Sequence, residues 1–375
     1  MVASGTVSGV VGARSKLDSL DVLRGLAAMA VVVFHLDPLM ENVGLDIPFA
    51  VVGQTGVNVF FVLSGYLIAG SVLSPERFST RSFMLRRAAR ILPLYYASML
   101  LVLLFDSSHL LSGAGLIDVA LHVTLLHGLS RDHFTSIYAV WWTLSAEWLF
   151  YLLMALLAPV FRGARSAWVM VAAFVAVGVG WRFFALGSQW LDRPFIVSVV
   201  IGWLDVFAVG MAGALIVRSD IGRKLLQVTT LRWSALALAS VGGVIAIWAY
   251  LRRSPEDPFL YWRSDLMVVV WPFVSALAVG LLVVVAPTVE GRIRPLLNRS
   301  GLVFLGQISY GVYVFHPMVI GSLSRSWRAV EPDVTGWVIP VAVIAATIVM
   351  STIAHYMLER PAMAWAAGRA SRLSR

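Results

Sequence analysis

Arg24 and His35 stand eleven positions apart in DVLRGLAAMAVVVFHLDPL, an apolar stretch over residues 21–39. At about 100° per residue, eleven steps return to within about 20° of the same helix face, with a rise of about 16 Å. A cation and a titratable imidazole therefore share one face at two levels. Imidazole suits general-base or nucleophilic work near neutral pH, and guanidinium suits the holding of phosphate or carboxylate. Each residue also has a plain alternative: Arg24 snorkelling as a helix-end anchor, His35 hydrogen-bonding a neighbouring helix. Together on one face of an apolar span they favour function, because ionisable groups in hydrocarbon are costly.

Further polar residues punctuate the other apolar stretches. In RSFMLRRAARILPLYY, Arg86 and Arg90 share a face at i,i+4 with Arg87 alongside, a dense basic anchor or a bidentate phosphate site. Pro93 is expected to kink that helix. Glu147, in WTLSAEWLFYL, falls mid-span, where a carboxylate needs a partner. Of the nearby tryptophans, Trp148 reads as core or interface, and Trp141 is kept as a pocket candidate. GVNVFFVLSGYLIAG offers Asn58 and Ser64, with Ser64, Gly65 and Gly70 small enough for close helix contact. ISYGVYVFHP brings Tyr310, Tyr313 and His316 within two turns; Tyr313 and His316, at i,i+3, face either a cavity or a hydrogen-bonded neighbour. Glu359 shares a face with His355, or forms a helix-end pair with Arg360. Asp205 reads as the partner of a buried arginine such as Arg182.

These residues need apolar helices to position them. The 375-residue chain is 59% hydrophobic and 13% charged, the composition of an all-α polytopic membrane protein. Spans can be drawn at about 21–39, 51–73, 88–106, 138–160, 166–185, 195–217, 232–251, 265–286, 301–323 and 336–358. An eleventh candidate, 111–128, is short and holds Asp118, His122 and His127. Ten spans put most Lys and Arg on one side, whereas eleven spread them almost evenly, so we expect ten transmembrane helices with both termini cytoplasmic. On that topology 38–50 and 107–137 are the longest external loops. We expect a cytoplasmic segment over 1–16, a transmembrane domain over 17–365 and a basic cytoplasmic tail over 366–375.

Several classes drop out. The net charge of +9 lies in short loops between spans, which the positive-inside rule explains without a nucleic-acid partner. Cysteine is absent, so disulfides, thiolate metal sites and a thiol nucleophile are excluded. The N-terminus does not read as a signal peptide. No metal-ligand spacing, Gly-rich nucleotide loop or G-x-S-x-G elbow occurs, and no metal is expected.

In order along the chain, LDVLRGLAAMAVVVFH, GVNVFFVLSGYLI, RRAARILPLYY, WTLSAEWLFYL, ISYGVYVFHP and the terminal ERP resemble the signatures of the bacterial acyltransferase-3 family of integral membrane acyltransferases. The resemblance runs from about residue 17 to 365. It implies about ten spans in a bacterial cytoplasmic (inner) membrane, and transfer of an acyl group, usually acetyl from acetyl-CoA, to hydroxyls. The acceptors it implies are cell-surface or exported saccharides, lipid-linked saccharides among them, or in some members small products such as macrolides. By resemblance, Arg24 and His35 are the family's arginine–histidine pair and Arg86, Arg87 and Arg90 its basic cluster. Glu147 and Glu359 take its acidic positions. Asn58 stands where many members carry aspartate. Some members carry a fused SGNH-type hydrolase domain; this chain shows none, so the membrane domain is expected to act alone or to pass acyl groups to a polysaccharide-assembly partner.

The expected chemistry places acyl-CoA phosphates on Arg24, Arg86, Arg87 and Arg90 and the thioester near His35. There the imidazole acts as general base or is itself acylated. Glu147 is expected to orient His35 if the first and fourth spans touch, and Asn58, Ser64, Trp141, Tyr310, Tyr313, His316 and Glu359 are the pocket candidates. A transporter of a saccharide or acylated product, lined by the same residues, is the main rival; a purely structural subunit is a weaker one.

Overall fold

The computed structural model describes residues 18–41, 50–73, 78–160, 163–187, 195, 199–228, 230–252, 265–328 and 338–373. Residues 1–16 and most of the 38–50 loop lie outside them. Among the described residues nine helices are long and apolar enough to cross a membrane, and no strand occurs. The chain is a multi-pass helical membrane protein.

In chain order the helices are α1 (Asp18–Glu41), α2 (Gly56–Val72), α3 (Thr80–Phe105), the short α4 (Gly115–Val123), α5 (Trp142–Leu157) and α6 (Ala164–Leu186). They continue as α7 (Leu204–Arg218), α8 (Asp220–Val228), α9 (Thr230–Arg252), α10 (Asp265–Arg299), α11 (Leu302–Arg328), α12 (Val338–Ala354) and α13 (Arg360–Leu373). Helix α9, the seventh of the stretches drawn from sequence, is helical over Thr230–Arg252, with an apolar run at Leu236–Ile245 among the described residues. Stretch 111–128 does not form a span: it breaks into a 3-10 turn, α4 and a second 3-10 turn at His127–Leu129.

Small residues set the tightest helix contacts. A Cβ on Gly306 of α11 would lie 1.9 Å from the Asp21 carbonyl oxygen of α1, and one on Gly65 of α2 would lie 2.0 Å from that of Phe207 in α7. Both pairs of helices therefore approach backbone to backbone. Gly70 makes no such approach; its nearest neighbour is the Arg218 guanidinium. Around the α2–α7 seam the rings of Phe61, Phe150 and Phe207 stack into the core, with Phe150 and Phe207 3.9 Å apart.

Pro93, expected to kink its helix, does not end it. Helix α3 runs unbroken through Pro93, as α11 does through Pro317. The last helix also continues past the ERP sequence: His355–Glu359 forms a π-turn and the chain then stays helical to Leu373. A π-turn leaves out one regular ladder bond, which accommodates the missing N–H of Pro361 just beyond it. Helix α13 folds onto α3, with the Ser82 hydroxyl donating to the Ala370 carbonyl at 3.1 Å.

A fully buried clasp ties α6, α7 and α10 together. Arg182 donates from Nη1 to Asp205 Oδ1 at 2.9 Å, from Nη2 to Oδ2, from Nε to the Val269 carbonyl at 3.0 Å, and also to the Gly202 carbonyl. This is the pairing expected of Asp205. At the His35 end of the bundle, α4 and its turns cap α3 and α5. His122 and His127 stack at 3.9 Å with 2° between planes, and Tyr95 donates to the His122 carbonyl at 3.1 Å. Leu125 takes a left-handed φ of 57°, which reverses the chain between the two rings.

Candidate functional site

Four spans, with Arg24 of a fifth, converge on a cavity of about 70 Å³. Each presents one helical stripe, as i,i+3 and i,i+4 spacing requires. Helix α5 offers Thr143, Glu147 and Tyr151; α2 offers Phe60, Ser64 and Leu67; α3 offers Arg87, Arg90 and Ile91; α11 offers Tyr310 and Tyr313. Arg24 reaches in from α1. The fold thus brings Arg24, Ser64, Arg87, Arg90, Glu147, Tyr310 and Tyr313 together from the sequence candidates.

The three arginines are held differently. Arg90 forms an ion pair with Glu359, whose other oxygen accepts from His355 Nδ1 at 2.8 Å. Arg24 pairs with Asp21 at 3.0 Å. Arg87 has no carboxylate partner among the described residues; its guanidinium lies 5.5 Å from the Phe83 ring centre and 5.4 Å from that of Tyr151, and its buried Nε makes no hydrogen bond. Aromatic faces orient a guanidinium without neutralising it. Its free N–H groups keep the fork that suits a phosphate.

Glu147 is fixed by hydroxyls. Its Oε1 accepts from both Ser64 and Tyr151. Beyond it, Tyr313 donates to the Val140 carbonyl at 2.9 Å and lies 2.8 Å from the Thr143 hydroxyl. Tyr310 donates to the Ile91 carbonyl at 2.8 Å, with Arg90 over its ring.

His35 does not line this pocket and does not touch Glu147. Its Nδ1 donates to the Val31 carbonyl at 2.8 Å, and its ring lies 4.9 Å from that of His316. His316 donates from Nδ1 to the Tyr313 carbonyl at 2.8 Å, and its buried Nε2 has no partner. In both imidazoles the donating Nδ1 leaves Nε2 as the atom with a lone pair. Tyr313 joins the two regions: it lines the pocket, and its ring lies 5.8 Å from that of His316.

Besides His35, His316 and Glu359, three further candidates lie outside the pocket. Asn58 faces α10, donating to Ser275 Oγ and to the Pro272 carbonyl at 3.4 Å. Six positions before Ser64, it stands about 120° around α2, so the two cannot share a face. Trp141 is wholly buried in the core, 5.2 Å from the Tyr95 ring. Arg86 is exposed, and the pocket takes its neighbour Arg87 instead. Sequence reasoning passed over Tyr151 and Thr143; their i,i+4 spacing from Glu147 was the available signal.

Among the described residues no group of three or more His, Asp or Glu side chains could hold a metal ion. The cap at the His35 end lies outside every span. Burial pushes the ionisation of His122 down to about 4 and that of His127 to about 3, the latter also disfavoured by charge on His122.

The acyltransferase-3 family model, described as an acyltransferase domain, matches residues 17–356. Peptidoglycan O-acetyltransferase OatA of Listeria monocytogenes is 23% identical over 382 residues, which cover 93% of this chain and 56% of OatA. The chain thus spans a little over half the length of that relative. Nodulation protein 10 of Rhizobium leguminosarum is 25% identical over 92% of this chain and 93% of its own length. Exopolysaccharide production protein ExoZ of Rhizobium meliloti is 28% identical over 86% of this chain and 93% of its own. No solved structure matches the chain.

Proposed function

We propose that this chain, which belongs to the acyltransferase-3 family, moves an acyl group, acetyl in our reading, from acyl-CoA to a saccharide hydroxyl. The observation that carries the proposal is the convergence of Arg24, Arg87, Arg90 and Glu147 from three helices on one pocket, with His35 eleven residues along the helix of Arg24. Phosphates of the donor sit on Arg87, with Arg90 and Arg24 adding positive potential. Glu147 accepts from an amide N–H of the pantetheine arm and so sets where the thioester lies relative to His35, a placement that tells in kcat more than in donor affinity. The thioester then passes Tyr313 and reaches the His35–His316 pair.

At His35, Nε2 takes the proton of the acceptor hydroxyl as its oxygen attacks the thioester carbonyl. The C–S bond breaks, and the departing thiolate takes that proton from the imidazolium to leave as free CoA thiol. Direct acylation of Nε2, followed by transfer to the hydroxyl, uses the same atom. His316 presents a second lone pair beside it.

In this reading the arginine end faces the cytoplasm, where acyl-CoA is made, and the histidine end faces the acceptor. The membrane is the bacterial cytoplasmic membrane. The saccharide assignment draws on the names of OatA and ExoZ, which concern peptidoglycan and exopolysaccharide, and it allows partners in polysaccharide assembly.

Protein purified in detergent, given acetyl-CoA and an oligosaccharide acceptor, is expected to release free CoA thiol and yield acetylated saccharide. A protein inert in detergent that moves a saccharide only across a sealed vesicle would be a transporter, and the proposal would fail.

A further inference from the structure

Arg87 and Glu147 carry opposite charges in one pocket of low dielectric, where attraction between them is strong. No ion pair joins them; Arg87 has no carboxylate partner among the described residues. Collapse into a pair would neutralise the cation that binds the donor and occupy the carboxylate. One side chain touches both. Tyr151, buried on α5 one turn from Glu147, donates its hydroxyl to Glu147 Oε1 and lends its ring to Arg87, 5.4 Å away. Ser64 adds a second hydroxyl to the same oxygen, and Phe83 a second ring near the same guanidinium.

We infer that Tyr151 is a positioning residue that holds Arg87 and Glu147 apart and available, its hydroxyl occupying the carboxylate and its ring orienting the cation. The inference rests on the donor-binding reading of this pocket. The two tasks fall on separable parts of one side chain. Tyr151→Phe removes the hydroxyl and keeps the ring. Tyr151→Leu removes both.

The test is CoA-thiol release by the purified full chain in detergent, with KM for acetyl-CoA and kcat measured separately and the melting temperature of each variant recorded. Arg87→Ala is the reference and raises KM about tenfold or more. Tyr151→Phe is expected to lower kcat about tenfold with KM within about twofold of wild type. Tyr151→Leu is expected to lower kcat similarly and also to raise KM toward the Arg87→Ala value. Combining Tyr151→Leu with Arg87→Ala should raise KM no further, since both act through one guanidinium. A Tyr151→Phe variant with wild-type kcat, or one with KM raised as in Arg87→Ala, overturns the inference while leaving the donor reading intact. Equal losses in both variants that track a lowered melting temperature also overturn it, because they mark Tyr151 as core packing. An unchanged KM in Arg87→Ala overturns the donor reading and this inference with it.

Discussion

Two clusters of charge lie inside this helical bundle, and they are built on opposite plans. In the Arg182–Asp205 clasp both side chains are fully buried, and the guanidinium is tied by four hydrogen bonds to one carboxylate and two carbonyls. In the pocket between α1, α2, α3, α5 and α11, three arginines and Glu147 surround open space, and Arg87 is held by rings. The clasp has nothing left to offer a ligand. The pocket keeps donors free and a carboxylate supported only by hydroxyls. What separates a structural charge from a functional one in a membrane is therefore not its presence in the span but how many of its bonds are already made.

This contrast can be broken in several ways. The largest effect is expected at His35, the base of the proposed transfer. His35→Ala should lower kcat for thiol release by about 10²- to 10⁴-fold with the melting temperature unchanged; turnover near that of wild type would remove His35 from the chemistry. Arg182→Ala should act on the other axis. It leaves Asp205 buried without its partner and should cost about 3–5 kcal/mol of stability, seen as lost folded yield and a lowered melting temperature. Any surviving folded fraction should turn over normally per molecule.

A smaller effect belongs to the cap. His122 and His127 ionise below the ordinary histidine value near 6.5. As pH falls, the unfolded segment takes up protons before the folded one does. The stability contributed by the neutral stack is thus fully present above about pH 6.5 and is lost progressively as pH falls toward 4. Hydrogen exchange over residues 115–130 should quicken across that window, and His122→Gln with His127→Gln should flatten the dependence. Exchange independent of pH after correction for its intrinsic rate would refute it.

Much of the bundle was legible because hydrophobic runs and basic loops report spans directly, and the pairing of Asp205 with Arg182 followed from the cost of burying either alone. The site was legible by residue type more than by face. Spacing on α3 put Arg86 with Arg90, yet the pocket takes Arg87 and Arg90, because the way α3 faces its neighbours is set by packing against α5, α11 and α13. Asn58 lies in the same motif as Ser64 but on another face. The partner of Glu359 is Arg90, 269 positions away, and the ring beside His35 belongs to His316 in α11; local periodicity carries no signal for such contacts. The expected link from Glu147 to His35 gave way to two hydroxyls for the same reason.

The most direct measurement crosses the two clusters: equilibrium binding of acetyl-CoA and thermal unfolding, both in detergent, for wild type, Arg87→Ala and Arg182→Ala. Arg87→Ala is expected to weaken binding about 10- to 100-fold with an unchanged melting temperature, while Arg182→Ala lowers the melting temperature and leaves the affinity of the folded fraction intact. An Arg87→Ala protein that binds acetyl-CoA as tightly as wild type would contradict the account.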